Sequence, residues 1–146
     1  MRTTIVSRPI DPAALLAEVA RSANGATVLF VGTVREQNDG RAVLGIEYAA
    51  YGPMAERELA AIAREAGARF GTGDIVVEHR VGQLALGEAS VAIAVAHPHR
   101  APAYDASRYV IEQIKTRVPV WKREAYADGT REWVDPTAHA LAEADA

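Results

Sequence analysis

Three prolines mark where helices in this chain begin and end. Asp11-Pro12 predicts a helix start, because an aspartate side chain caps free N–H groups and proline suits the first helical position. Pro53 predicts a second start. Pro119 predicts the end of a third helix, since the residue before a proline is disfavoured in helical geometry. The chain therefore holds three helices, separated by segments that must fold differently.

The segments between the helices are apolar and β-branched, which is typical of strands. We predict strands over residues 3–7, 26–34, 43–51, 75–81, 90–96, 120–126 and 131–134, and helices from Pro12 to the Asn24-Gly25 pair, over 52–70 and over 101–117. The run 26–34 is nearly all apolar, as a strand covered on both faces would be. The polar residues 35–41 predict a loop, and the turn after residue 81 holds a short apolar segment, 84–86. The order βαββαββαββ indicates an α+β fold with helices packed on a largely antiparallel sheet.

Length and charge limit the kind of protein this is. We expect a single domain over residues 1–146, long enough to bury a core, with a surface helix or flexible tail from about residue 135. No apolar run is long enough for a membrane span and no signal-peptide pattern is present, so we expect a cytoplasmic protein. The net charge of −3 argues against binding to nucleic acid or to an anionic membrane.

The chain contains no cysteine. This excludes a disulfide, thiolate metal ligands, a thiol nucleophile and a persulfide carried on the chain. His97 and His99 lack a suitably spaced third ligand, so we expect no metal site, and we expect no cofactor. His79, on an apolar strand, is expected to be a core or strand-edge residue. If this protein handles sulfur, the sulfur arrives on another molecule.

Lysine is nearly absent from the chain. Of its 16 basic residues only Lys115 and Lys122 are lysines, and the others are arginines. A lysine amine can lose its proton and act as nucleophile or base, whereas a guanidinium stays protonated. A helix C-terminus favours the ammonium form of Lys115, and burial or like charges disfavour it, so the sequence leaves its protonation open. We expect chemistry at these two residues.

Other cations follow predicted strands. Arg35 comes directly after one apolar strand, and His99 and Arg100 come directly after another. Arg100 also begins a helix, where free N–H groups favour an anion. If these ends converge with Lys115 and Lys122, the five side chains form a cationic pocket for a phosphate or a carboxylate in an acidic protein.

Three motifs occur in a fixed order along the chain. They are Phe30-x-Gly32-x-x-Arg35, His99-Arg100 and Lys115-Thr-Arg-x-Pro-x-Trp-Lys-Arg-Glu124. Together they resemble the MoaE family, the catalytic large subunit of molybdopterin synthase. The resemblance covers roughly residues 26–134. It implies an α/β-hammerhead fold with a small extra β subdomain, in agreement with the mixed order of elements.

The resemblance implies a sulfurtransferase of molybdenum cofactor biosynthesis. Enzymes of this family convert cyclic pyranopterin monophosphate (precursor Z) to molybdopterin by inserting two dithiolene sulfurs. Each sulfur is donated by the C-terminal thiocarboxylate of a small ubiquitin-like carrier subunit, whose tail enters the pocket of the large subunit. The family forms a heterotetramer, in which two large subunits make a central dimer with a carrier at each end.

The resemblance also implies roles for single residues. Lys115 would lie closest to the chemistry and contact the terminal carboxyl group of the carrier, and Lys122 would stabilise developing negative charge. Substrate contacts are implied for Thr33, Val34, Arg35, His99, Arg100, Lys115, Lys122, Arg123 and Glu124, and Phe30 would support the pocket.

The chain departs from the family pattern at three places. Thr33 stands where the family often has a lysine, so the pocket lacks that cation. His97 and Pro98 precede the His-Arg pair, where smaller residues are usual. An arginine that commonly reaches across the family's dimer near the C-terminus has no counterpart after Arg131.

Two other classes of function fit the residues as well. A different enzyme could use the same cations on a phosphorylated heterocycle and would need no protein partner. A non-catalytic module could dock a ubiquitin-like carrier without transferring sulfur. Lys115 and Lys122 argue against such a degenerate subunit, since they are the two lysines that the chain keeps.

Overall fold

The structure, a computed structural model, describes residues 1–38 and 40–134, so the prediction for residues 135–146 lies outside it. Within that range the helices are Pro12–Val19 (α1), Gly52–Phe70 (α2) and Arg100–Arg117 (α3). The strands are Arg2–Val6 (β1), Ala26–Thr33 (β2), Gln37–Asn38 (β3), Arg41–Ala50 (β4), Ile75–Arg80 (β5), Gly82–Ala85 (β6), Ala89–His97 (β7), Val120–Tyr126 (β8) and Arg131–Val134 (β9). None of these helices is long and apolar enough to cross a membrane.

The first sheet lies between helices. Its strand order is β1-β5-β7-β2, with β1 parallel to β5 and the other neighbours antiparallel. On one face Ile75, Val77 and Ile93 pack with Leu59 of α2 and Val110 of α3. On the other face α1 covers a second apolar cluster. The sheet therefore forms the middle layer of the main core.

The second sheet is built around β4. β8 pairs with β4 on one side, β6 pairs with it on the other, and β3 forms a hairpin with its first residues. β9 extends the sheet beyond β8. A small separate core, made by Val34, Val43, Ile46, Leu84 and Tyr126, lies under one face. One face of this sheet, the inner face, therefore packs against the protein interior, and the other is the outer face.

The predicted α+β class is confirmed. α2 has the predicted bounds, and α3 ends before Pro119, with Val118 already extended. Asp11 caps α1 as expected, because its side chain accepts a hydrogen bond from the N–H of Ala13.

α1 is shorter than predicted. It ends at Val19, and the segment that follows takes a non-helical path. Arg21 and Asn24 both bind the carboxylate of Asp74, at 2.9 and 2.8 Å. These bonds tie the segment to the residue that precedes β5, which explains why the helix does not continue to Asn24.

Three strands differ from the prediction. The expected loop over 35–41 contains β3, which turns tightly into β4 through Gly40 at φ 76°. Residues 82–85 form β6, which pairs with β4 instead of remaining in a turn. Both strands are too short to show a repeating pattern in sequence. β2 was expected to be covered on both faces, but it lies at the edge of its sheet and most of its residues are half-buried.

A buried carboxylate fastens the N-terminal strand. Glu78 on β5 is 2 % exposed and binds Arg2 at 2.7 Å and Arg8 at 3.0 Å. Burial raises the pKa of Glu78, but hydrogen bonds from Arg8 and Arg2 outweigh it and hold the pKa below its usual range. Ionised Glu78 therefore stabilises the fold above the pKa of an unfolded glutamate. This stabilisation is lost as the pH falls through the lower pKa of the folded state.

Replacing Glu78 with Gln is expected to lower the free energy of unfolding by about 1–3 kcal/mol at pH 7, because hydrogen bonds to a charged group are lost. The difference from the wild type should shrink below about pH 4, where the wild-type carboxylate also takes up a proton. Urea unfolding at several pH values measures both effects. The matched control is Glu112→Gln, which removes an exposed pair with Arg108 and should cost less than about 0.5 kcal/mol. Equal losses in the two variants would contradict the role of Glu78.

Candidate active site

Both lysines lie in one small cleft, where the end of α3 meets β4, β5 and β8. Pro119 turns the chain directly from α3 into β8, which returns Lys122 toward Lys115. The cleft is lined by Tyr48, His79, Ile114, Lys115, Val118, Val120 and Lys122. The structure therefore brings together the two lysines that the sequence singles out.

Lys122 is held by a buried carboxylate. Its Nζ lies 3.1 Å from Oε1 of Glu124, whose side chain is 2 % exposed. Glu124 also accepts hydrogen bonds from the hydroxyl of Tyr126 at 2.6 Å and from Nδ2 of Asn38 at 2.9 and 2.8 Å. Burial acts to raise the pKa of Glu124, but the bonds from Tyr126, Asn38 and Lys122 lower it below the ordinary value. Ionised Glu124 therefore holds the Lys122 side chain in place through an ion pair.

Lys115 has a different environment. It lies in the last turn of α3, water still reaches its side chain, and it makes no salt bridge with a carboxylate in the described part of the chain. The walls of the cleft partly desolvate it, and this burial, together with the charges of Lys122 and Arg35, lowers its pKa below the ordinary value. Lys115 is thus the better nucleophile or base of the two.

Arg35 stands at the edge of the same cleft. It is exposed, and its charge acts on both Lys115 and Tyr48. Its Nη2 lies 3.4 Å from Oδ1 of Asn38, a long hydrogen bond that leaves most of the guanidinium free. Thr33, at the end of β2, is also exposed. Arg35 is therefore able to bind an anion beside the lysines.

Val34 and Phe30 belong to the core. Val34 is 3 % exposed, its N–H donates to the carbonyl of Glu88, and its own carbonyl accepts from the N–H of Gly87. Val34 is therefore a core residue with its backbone groups paired, and a substrate contact at this position stays a prediction. Phe30 packs against the core under α2 and α3, a position from which it can support the site.

His99 and Arg100 lie far from the lysines within this chain. Arg100 begins α3 and Lys115 lies in its last turn, so a helix at 1.5 Å per residue separates them by roughly 22 Å. The two residues instead border a separate hollow with Gly25 and Ala26. Within one chain, His99 and Arg100 therefore do not converge with the two lysines.

Arg123 also lies outside the cleft. Alternation along β8 places Lys122 and Glu124 on the inner face and Arg123 on the outer face, as the sequence predicts. There Arg123 binds Glu47 at 2.5 Å and lies 5.0 Å from the ring centre of Trp133. Arg123 therefore faces away from this cleft, and its substrate contact stays a prediction.

Tyr48 and His79 are cleft residues that the sequence does not reveal. His79 is 4 % exposed, its Nδ1–H donates to the carbonyl of Arg80 at 3.1 Å, and its ring meets Tyr48 edge-on. Burial and then the charge of Lys115 lower the pKa of His79 to about 4, so it is neutral at pH 7. His79 is buried on a strand, as the sequence predicts. Its place in the wall of the cleft depends on β5 lying beside the lysines, and the sequence does not show that. No local signal marks either residue.

Larger hollows lie elsewhere on the molecule. A groove of about 520 Å³ crosses the outer face of the second sheet, and the hollow beside His99 measures about 460 Å³. Neither contains a lysine, so we place the chemistry in the smaller cleft. Within residues 1–38 and 40–134, no group of three His, Asp or Glu side chains is arranged to hold a metal ion.

The chain matches the family model described as MoaE protein over residues 5–117. It is 41 % identical over 133 residues to the molybdopterin synthase catalytic subunit of Bacillus subtilis (strain 168), covering 91 % of this chain and 84 % of that protein. Its structure resembles the crystal structure of molybdopterin synthase from Staphylococcus aureus, with a TM-score of 0.85, 39 % identity and coverage of 90 % of this chain and 95 % of that one. A complex of subunits 1 and 2 of molybdopterin-converting factor from Helicobacter pylori 26695 contains a chain with the same fold, at a TM-score of 0.73 and 21 % identity, covering 90 % of this chain and 89 % of that one.

The different surroundings of the two lysines predict different reactivity. Lys115 should react faster than Lys122 with an amine reagent such as acetic anhydride near neutral pH, because its pKa is lowered, whereas the amine of Lys122 is engaged by Glu124. Mass spectrometry of the two lysine peptides measures both rates in one sample. Lys122→Gln removes a neighbouring positive charge, so it should raise the pKa of Lys115 and slow its labelling. Lys122→Arg keeps the charge and should leave the rate nearly unchanged; equal rates in the two variants would contradict this electrostatic coupling.

Proposed function

Since the chain belongs to the MoaE family, we propose that it is the catalytic subunit of a molybdopterin synthase. Its reaction transfers sulfur to cyclic pyranopterin monophosphate during molybdenum cofactor biosynthesis. The sulfur donor is the C-terminal thiocarboxylate of a small ubiquitin-like carrier. The observation that carries the proposal is the pair of lysines in one cleft, of which Lys122 is paired with buried Glu124 and Lys115 has a lowered pKa.

Sulfur transfer from a thiocarboxylate makes two demands that this cleft meets. The bond between the acyl carbon and sulfur of the carrier must break, and negative charge develops on the acyl oxygen when that carbon is attacked. Lys122, fixed by Glu124, supplies a positioned positive charge for this oxygen. Lys115 supplies an amine that can take up a proton or attack the acyl carbon. Because the chain has no cysteine, it does not carry the sulfur itself.

Arg35 binds the phosphate of the substrate. A guanidinium can donate two parallel hydrogen bonds to a phosphate, and Arg35 is exposed beside Lys115. It therefore binds the cyclic phosphate and sets the pterin side chain beside the amine. Thr33 contributes a hydroxyl at the end of β2 but no charge.

A second copy of the chain supplies His99 and Arg100. The length of α3 keeps these two residues about 22 Å from Lys115 in their own chain, so only another chain can bring them to the cleft. A two-fold dimer would place the start of α3 from one copy beside the lysines of the other. The small carrier is the second partner, and the two-subunit complex from Helicobacter pylori supports such an assembly.

Reconstitution tests the activity. The protein, a thiocarboxylated carrier and cyclic pyranopterin monophosphate should together yield a dithiolene-containing pterin, detected by mass spectrometry. Lys115→Ala should reduce the rate by about 100-fold or more, because an acid–base or nucleophilic group is lost. Lys115→Arg is the matched variant: it keeps the charge but not the reactive amine, so it should be similarly impaired.

Three outcomes would contradict the proposal. Carrier binding by the wild type without product would indicate a docking module. Turnover without any carrier would indicate a different enzyme. Full activity of Lys115→Ala would remove Lys115 from the chemistry.

The shared site predicts complementation between two inactive variants. Lys115→Ala and Arg100→Ala should each lose activity as homodimers. When the two are unfolded and refolded together, about a quarter of wild-type activity should return, since half of randomly formed dimers are mixed and each mixed dimer has one intact site. Refolding each variant alone is the control. No recovery in the mixture, with mixed dimers confirmed by differently tagged chains, would show that the two residues do not share a site across chains.

A further inference from the structure

The β3–β4 hairpin brings Asn38 into contact with the cleft. Asn38 lies in the segment that the sequence predicts as a loop, and its side chain is half-buried. Its Nδ2 donates to both carboxylate oxygens of Glu124, at 2.9 and 2.8 Å. Its Oδ1 accepts the 3.4 Å hydrogen bond from Arg35. One amide thus connects the acidic partner of Lys122 with the exposed cation of the cleft.

Glu124 depends on its hydrogen-bond donors. A buried carboxylate stays ionised only where donors or cations replace the water it has lost. Tyr126 and Lys122, which supply two of the partners, lie on β8 with Glu124 itself. Asn38 is the partner that comes from another strand, and it contacts both oxygens. The orientation of the carboxylate therefore depends on the hairpin.

We propose that Asn38 is a positioning residue of the active site: its amide clamps the Glu124 carboxylate in the orientation that holds Lys122, and it acts on the reaction through Lys122. The chemistry of an amide suits this place, because Nδ2 donates to an acid while Oδ1 accepts from an arginine. An aspartate in the same position would offer two acceptors and no donor. The effect on the reaction rests on the proposed function, whereas the clamp itself is a property of the free chain.

Several charged or titratable groups surround the clamp, and a pH response must be judged against them. They are Lys122 and Tyr126 on β8, Tyr48 on β4, Lys115 across the cleft, Arg35 beside Asn38, and Arg41 above the Tyr126 ring at 3.5 Å. A change at Asn38 leaves all of them in place. Loss of its two hydrogen bonds therefore acts on Glu124 first and should raise the pKa of that carboxyl group.

The scarcity of lysine makes this measurable without substrate. In protein labelled with ¹³C at the lysine ε-carbon, two side-chain signals arise, and Lys122→Arg assigns them. In the acid range the Lys122 signal should report protonation of Glu124, its bonded partner. In Asn38→Ala this inflection should move to higher pH by about one unit, as expected for lost hydrogen bonds to a charge. Asn38→Asp should move it further, because a negative charge replaces the donors.

Gln83→Glu is the matched control. The Gln83 amide also donates to a carboxylate, that of Glu47 at 2.9 Å, but on the outer face of the same sheet. Gln83→Glu, like Asn38→Asp, replaces an amide beside a carboxylate with a second carboxylate. Because Gln83 lies on the face opposite Glu124, this variant should leave the pH of the Lys122 inflection unchanged. Thermal unfolding verifies that each variant is folded. If Asn38→Ala does not fold, Asn38→Ser replaces it and should move the inflection in the same direction by a smaller amount.

The reaction gives the second readout. In the Asn38 variants the acid limb of the pH–rate profile should move to higher pH, by about as much as the Lys122 inflection does. Binding of the carrier should be retained. An unchanged inflection in both folded variants would overturn the clamp. A shifted inflection with an unshifted acid limb would overturn the positioning role. If the wild type makes no product while the inflection still shifts, the proposed function fails and the clamp stands.

Discussion

Antiparallel pairing of β8 with β4 is the interaction on which the cleft depends. α3 packs on the first sheet and β8 belongs to the second, so the pairing holds β8, with Lys122, beside the end of α3 that carries Lys115. Its register places Lys122 opposite Tyr48 and turns Glu124 toward the interior. Trp121 and Arg123 consequently face outward. A slip of one residue would exchange the two sets, turning Lys122 and Glu124 outward and Trp121 and Arg123 inward.

Burial has different consequences for each titratable group of this cleft, because their partners differ. Glu124 is deeply buried yet ionised, since donors surround its carboxylate. For Lys115, burial and then the neighbouring cations Lys122 and Arg35 lower the pKa. His79 has one backbone partner and stays neutral. The fold thus obtains a fixed positive charge and a reactive amine from the same residue type by the choice of neighbours alone.

Much of the fold could be predicted from sequence because its signals are local. Prolines delimit α2 and α3, and alternation along β8 indicates which side chains share a face. The motif of His99 and Arg100 does not by itself place them, because their distance from the lysines follows from the length of α3. Asn38 and Glu124 are 86 residues apart, and no pattern in either segment indicates their contact. Residues that act through such distant pairings become visible only in the folded chain.

The edge position of β2 affects the solubility of the chain. Within the described residues no strand pairs with the outer side of β2, although the strand is nearly all apolar and eight residues long. Free N–H and C=O groups along such a strand can pair with any exposed strand nearby, including one from an unfolded protein. An uncovered β2 edge would therefore make the isolated chain prone to aggregate.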